Sequence, residues 1–166
     1  MLPTVWGAID GLKLSVQESG KIYEQNIYYN GWTHGHYVNY LFVFGPDGKI
    51  YICVLNAPGT FHDSNMADYH VYDALETIFL RTGCKVVVDS AFGGKKREYL
   101  EKSSQGDPID GNCELILKNR AATSIRQLSE WVMRMIQGSF PRIRDTLVFD
   151  NTGEFISTIF SVHRYV

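Results

Sequence analysis

Four carboxylates have neighbours that single them out. Asp10 closes a short apolar run, Thr4 to Ile9, at Asp10-Gly11, and Asp89 closes the all-apolar stretch that ends Val86-Val87-Val88. Glu130 stands between Arg126 and Arg134, at i−4 and i+4, and Asp63 follows a Pro-Gly pair in Pro58-Gly59-Thr60-Phe61-His62-Asp63-Ser64. If the runs before Asp10 and Asp89 are neighbouring strands, both carboxylates project from one sheet edge, where open α/β sheets bind ligands. Carboxylates held side by side repel, and one tends to keep a proton. A bound Mg²⁺ or Mn²⁺ removes that conflict, because hard cations take oxygen ligands and share them with substrate phosphates. Two such ions, roughly 3.5–4 Å apart, activate a water and stabilise the leaving oxygen in an in-line displacement on a phosphodiester. The candidate metal ligands are therefore Asp10, Asp63, Asp89 and Glu130.

Each acid also has a plainer reading. Arg126, Glu130 and Arg134 make an i, i+4 ladder on a helix surface, worth a few tenths of a kcal/mol per pair. Asp63 suits a helix N-cap, where its oxygen would satisfy free backbone N–H groups. A cap of this kind can still lie beside a metal. Arg126 and Arg134 can instead hold DNA phosphates next to the ion, and Lys95-Lys96-Arg97, just after Asp89, can track a DNA backbone or form a solvated run. His34-x-His36, joined by His62 or His70, has the donors of a zinc hydrolase, against the simpler reading of loop histidines. The aromatic content, 13%, belongs mainly to core and sheet packing. No phosphate-cradling glycine loop is present.

The elements that must position these groups follow from patterning. Thr4 to Ile9 reads as a strand stopping at Asp10-Gly11, with a second short strand over 12–16. Residues 18–35 are polar, aromatic and glycine-bearing, hence mostly loop. Residues 37–44 and 49–55 are β-branched and aromatic, and Gly45-Pro46-Asp47-Gly48 joins them as a hairpin turn in which Pro fixes φ and Gly permits a positive one. Residues 64–81 carry a 3.6 period and predict one helix. Lys85 to Val88 predicts a strand buried on both faces. Residues 103–112 read as loop and 115–117 as a last short strand. A final helix spans 121–137, with Ile125, Leu128, Val132 and Met135 on its apolar face and Gly138 past its end. The order predicts an α/β fold of RNase H-like architecture, a mixed β-sheet flanked by helices.

Composition agrees with one domain. The chain has 166 residues, 45% hydrophobic and 20% charged, enough to bury a core. No apolar run approaches the roughly 18 residues of a membrane span, and the first residues carry no basic or apolar leader. Cys53, Cys84 and Cys113 form no CxxC pair, which fits a reducing compartment rather than a disulfide framework. The net charge is −2, unlike a protein that holds DNA by bulk charge, yet residues 119–144 carry five arginines against one acid.

The ordered strings Gly7-Ala8-Ile9-Asp10-Gly11, Pro58 to Ser64, Val88-Asp89-Ser90-Ala91-Phe92 and Arg126-x-x-x-Glu130 resemble the DDE superfamily endonuclease domain of PIF/Harbinger-type transposases. The stretch from Tyr28 to Asn39 and the final segment, residues 124–143, are similar as well. The resemblance covers residues 5–145. It implies an RNase H-like catalytic core over residues 1–166, a divalent metal, and DNA strand cleavage followed by strand transfer. It implies Asp10, Asp89 and Glu130 as catalytic acids, with Asp89 preferred to Asp63 as the middle one on topology. It further implies a nuclear location, DNA as partner, a separate DNA-binding accessory protein in place of an absent N-terminal DNA-binding region, and self-association. The family's lysine after the last acid has no counterpart, since Met133-Arg134 and Gln137 stand there. The alternative from another class is an RNase H-like module, domesticated or truncated, that no longer cuts and presents a protein-interaction surface.

Overall fold

The computed structural model describes residues 5–69, 71–92, 97–102 and 113–148. Strand β1 (Val5–Ser15) alternates in its second half, with Leu12 and Leu14 buried and Lys13 and Ser15 exposed, the period of two expected of a strand. Helix α1 (Ile22–Tyr28) and the two-residue β2 (Tyr29–Asn30) lead into β3 (Gly35–Phe44), which is buried from Val38 to Phe44. The hairpin turn is closed by Gly48 N–H donating to the Gly45 carbonyl at 3.0 Å, with Gly48 at φ 75°. The chain returns as β4 (Ile50–Pro58). Helices α2 (Asp63–Ala67) and α3 (Val71–Thr82), strands β5 (Lys85–Val88) and β6 (Leu100–Lys102), and the long helix α4 (Cys113–Ser139) complete the order.

The strands form one sheet in the order β2-β3-β1-β5-β6, with β4 also paired to β3. β3 and β4 run antiparallel, as do β1 and β3, while β5 lies parallel to both β1 and β6. One face packs Ile9, Leu41, Val43, Val86 and Val88 against Met66, Val71 and Leu75 of α2 and α3. The other packs Leu12, Leu14, Tyr40 and Phe42 against Met133 of α4, and Ala8 and Val87 against Ala122. Both faces of β3 and β5 are thus covered, which is why neither strand alternates in sequence. This is a mixed α/β sheet flanked by helices, consistent with the RNase H-like architecture.

Several elements depart from the sequence pattern. Asp10-Gly11 does not end the first strand. The ladder with β3 runs on from Ala8↔Phe44 to Ser15↔Tyr37, because residues 8, 12, 14 and 16 keep one buried face. The stretch 18–35 holds α1 and β2 rather than loop alone. The predicted helix over 64–81 is two helices, α2 and α3, although Ala67, Val71 and Leu75 keep the i, i+4 spacing of one buried face. Residues 115–117 belong to α4 rather than to a strand, and β6 takes the last place in the sheet. The buried face of α4 is Ala122, Ser129 and Met133, while Met135 is 68% exposed. Residues 103–112 lie outside the described residues.

Candidate functional site

The sheet opens where β1 outruns β5. The last ladder pair between them is Ala8↔Val87. Further along the same edge of β1, the next partner is Leu147, whose N–H donates to the Ser15 carbonyl at 2.8 Å. Between these points the edge has no strand partner among the described residues. Asp10 lies in this opening. Two residues beyond Ala8 and Val87, the same parallel register brings it level with Asp89, just past the end of β5.

Asp10 faces α4, where its two oxygens are held separately. The Gly11 N–H donates to Oδ1 at 2.9 Å and the Ser129 hydroxyl to Oδ2 at 3.3 Å. Ser129 is itself 1% exposed, and its single hydroxyl proton is shared between Asp10 and the Arg126 carbonyl, 2.7 Å away. Burial pushes the Asp10 carboxyl above its ordinary value. The hydrogen bonds from Gly11 and Ser129 pull it down, and the charges of Glu130 and Asp63 push it up again.

Asp63 arrives from the opposite face. It is the first residue of α2, and the cap position is His62, which makes no side-chain cap hydrogen bond. Asp63 is therefore not the N-cap that the sequence suggested. Its carboxylate instead lies over Gly11: a Cβ on that glycine would stand 3.0 Å from Cγ and from both oxygens of Asp63. Gly11 thus gives the strand a gap in which an acid from another element can sit. Burial raises Asp63 as well, Lys13 and His62 lower it, and Asp89 raises it. Asp10 thus feels Glu130 and Asp63, and Asp63 feels Asp89.

The segment that delivers Asp63 is tied to the sheet by buried amides. Asn39, 0% exposed, donates to the Phe61 carbonyl at 2.8 Å and, at 3.4 Å, to those of Pro58 and Gly59. Asn30 donates to the Gly59 carbonyl at 2.7 Å. Tyr40 donates to Asn56 Oδ1 at 2.9 Å, beside the positive φ of Asn56. The Asn39 Oδ1 itself is buried without a hydrogen-bond partner.

Glu130 is half-buried on α4 and paired with Arg126 at 2.9 Å, so one half of the anticipated ladder forms. Arg134 is exposed. Arg97 is engaged elsewhere, at 3.1 Å from Asp68 and with its guanidinium 3.6 Å above the Tyr72 ring. Lys95, Lys96 and His70 lie outside the described residues. The histidine pair does not reach the acids. His34 sits in a turn at φ 52°, and His36 lies six residues before Phe42, the partner of Asp10, about 20 Å away along the strand. Among the described residues no three His, Cys, Asp or Glu side chains stand close enough together to ligate one ion as they are. The donors nonetheless match a hard divalent cation in kind, and the mutual repulsion of Asp10, Asp63 and their neighbours is what such an ion relieves.

Sequence reasoning missed Gly11, Lys13, Asn39 and Ser129. Ser129 had a usable signal, being a polar residue four positions after Ile125 on the inward face of the helix. Asn39 had a weaker one, as a lone amide inside an apolar strand.

A family model described as DDE superfamily endonuclease matches residues 9–162. No curated protein and no solved structure gives a significant match.

Proposed function

The chain belongs to the DDE superfamily endonuclease family, and from that premise we propose that it is a divalent-metal-dependent DNA endonuclease core of transposase type, allied to the PIF/Harbinger group. Asp10, Asp63, Asp89 and Glu130 would hold the ion, Mg²⁺ or Mn²⁺, and Asp10, Asp89 and Glu130 are the acids of strand cleavage. The observation that supports this reading is geometric: the Asp63 carboxylate of α2 lies over Gly11, next to Asp10 at the open edge of β1, and the β1/β5 register brings Asp89 level with Asp10.

When bound, the cation supplies Lewis-acid activation of a phosphate oxygen and of water. The protein's part is orientation. Gly11 and Ser129 each fix one oxygen of Asp10, so the carboxylate cannot rotate freely. Asn39 and Asn30 fix the segment that carries Asp63. Glu130 is held by Arg126 and would give up that pair to hold the ion. The acids must draw closer together to share it. Arg126, Arg134, Lys95 and Lys96 would contact the DNA backbone, and Arg97 would join them only by leaving Asp68. A separate DNA-binding partner, self-association and a nuclear location accompany this reading.

The test is calorimetric titration with Mn²⁺ alongside plasmid nicking, for the native chain and for Asp10→Asn, Asp63→Asn, Asp89→Asn and Glu130→Gln. The native chain should bind and nick, and the variants should lose both while keeping their circular dichroism. A native chain that binds no Mn²⁺, or four variants that nick as it does, would end this reading. A stronger loss from Asp63→Asn than from Asp89→Asn would make Asp63 the middle catalytic acid.

A specific observation favours a second reading, a non-cutting module that docks a protein. Trp131, Met135 and Phe140 are exposed along and just beyond α4, and Met135 and Phe140 line a surface groove with Ile50, Val132 and Ile136. Metal binding without any nicking would turn the choice toward it.

A further inference from the structure

The acids repel the polyanion they are to cut, and a cation at the rim adds to what a bound metal offsets by meeting the phosphate directly. Two of the described cations are already engaged. Arg126 is closed on Glu130 at 2.9 Å and Arg97 on Asp68 at 3.1 Å. Lys13 differs. It sits on β1, exposed, and makes no ion pair within 4 Å among the described residues. Its backbone is fixed opposite Asn39 in the ladder with β3, in the stretch of β1 whose other edge has no strand partner. Strand alternation puts it on the same face as Ile9 and Gly11, where the Asp63 carboxylate lies.

We propose that Lys13 is a substrate-contacting residue of this site, its ammonium binding a non-bridging oxygen of the DNA phosphate brought to Asp10 and Asp63. This rests on the endonuclease reading above. A lysine suits the place because its ammonium is a point charge with three rotatable donors and needs no planar partner. It is not closed onto the Asp63 carboxylate as an ion pair, so its donors remain for a phosphate.

The test compares the native chain with Lys13→Ala and Lys13→Arg. Binding of a short labelled DNA duplex is followed across a salt series in Ca²⁺, and Mn²⁺ affinity is measured separately without DNA. Lys13→Ala should weaken duplex binding and lower the slope of log K against log salt by about 1, with Mn²⁺ affinity unchanged. Lys13→Arg, which keeps the charge, should retain the slope. An unchanged slope in Lys13→Ala, in a native background that binds Mn²⁺ and nicks DNA, overturns the role of Lys13 alone. A loss of Mn²⁺ affinity in Lys13→Ala also overturns it, because the lysine would then act on the acids rather than the substrate. A native chain that binds neither Mn²⁺ nor DNA overturns the endonuclease reading and this proposal together.

Discussion

The acids reach the opening of β1 on two very different supports. On the α2 side, Asp63 is delivered by a segment pinned through Asn39, Asn30 and Tyr40 to neighbouring strands, and its carboxylate rests directly on Gly11. On the α4 side, Glu130 is half-exposed and spends its charge on Arg126 one turn away. Asp10 stands between them, gripped by one backbone and one hydroxyl donor. The difference teaches that one half of the site is built in advance while the other is adjustable. Buried amide clamps hold a carboxylate against repulsion at a cost in stability, whereas a surface ion pair releases one cheaply.

The largest effect that bears on this contrast is loss of the acid between the two halves. Asp10→Asn should reduce Mn²⁺-dependent nicking by roughly a thousandfold, since several kcal/mol of ligand and charge stabilisation are removed at about tenfold per 1.4 kcal/mol. Arg126→Ala, on the adjustable side, should leave nicking within a few-fold. Equal losses from the two would dissolve the comparison.

The prebuilt half can be broken with a single methyl group. A Cβ at residue 11 would press on the Asp63 carboxylate at 3.0 Å, and the carboxylate must shift to make room. Gly11→Ala should weaken Mn²⁺ affinity by about 10- to 100-fold, the range found when the supports of metal ligands are altered. Calorimetry checks this, and an affinity equal to the native value would mean that Asp63 does not need its seat over Gly11.

How much of this could be read in the sequence divides along physical lines. The hairpin and the buried strand before Asp89 were legible because their signals are local: a Gly-Pro-Asp-Gly turn between β-branched runs, and three valines in a row. The four acids were legible because each sits beside a distinctive string. The continuity of β1 through Asp10-Gly11 was not, since Gly after Asp is a turn signal unless a partner strand keeps the ladder, and that partner lies about thirty residues away. The split between α2 and α3 was hidden because the apolar period survives it. The role of Gly11 was hidden most completely, because it depends on an approach between residues 11 and 63 that no local pattern encodes. Ser129 could have been found, but a helix face assigned through Met135 rather than Met133 points it the wrong way.

The pinned segment also makes a prediction about stability. Asn39→Ala leaves the Phe61 carbonyl without its buried donor, and should cost about 1–3 kcal/mol in urea unfolding. Asn39→Asp, which keeps the shape but removes the amide donors and adds charge near Asp63, should cost more. If both variants unfold at the native midpoint, the clamp contributes nothing and the two halves of the site are equally loose.

The smallest effect follows from the strain carried by the unliganded acids. Asp10 and Asp63 are both raised above the ordinary carboxylate value of 3.8, mainly by burial. A carboxyl whose folded value lies above its unfolded one stabilises the fold fully only at pH below the unfolded value. That contribution is lost as pH rises through the folded value, so at neutral pH each charged acid works against the metal-free fold. Asp10→Asn, which cannot ionise, should therefore melt higher than the native chain at pH 7 in a chelator, by about 2–4 °C for each kcal/mol recovered. The gain should shrink as the pH falls through the folded value and vanish below 3.8, where the carboxyl is protonated in both the folded and the unfolded chain. Added Mn²⁺ should reverse the order at pH 7, because only the native chain then gains a partner for its charge. If Asp10→Asn melts below the native chain in chelator at pH 7, the hydrogen bonds from Gly11 and Ser129 outweigh burial, and the opening of β1 is relaxed without a metal rather than poised for one.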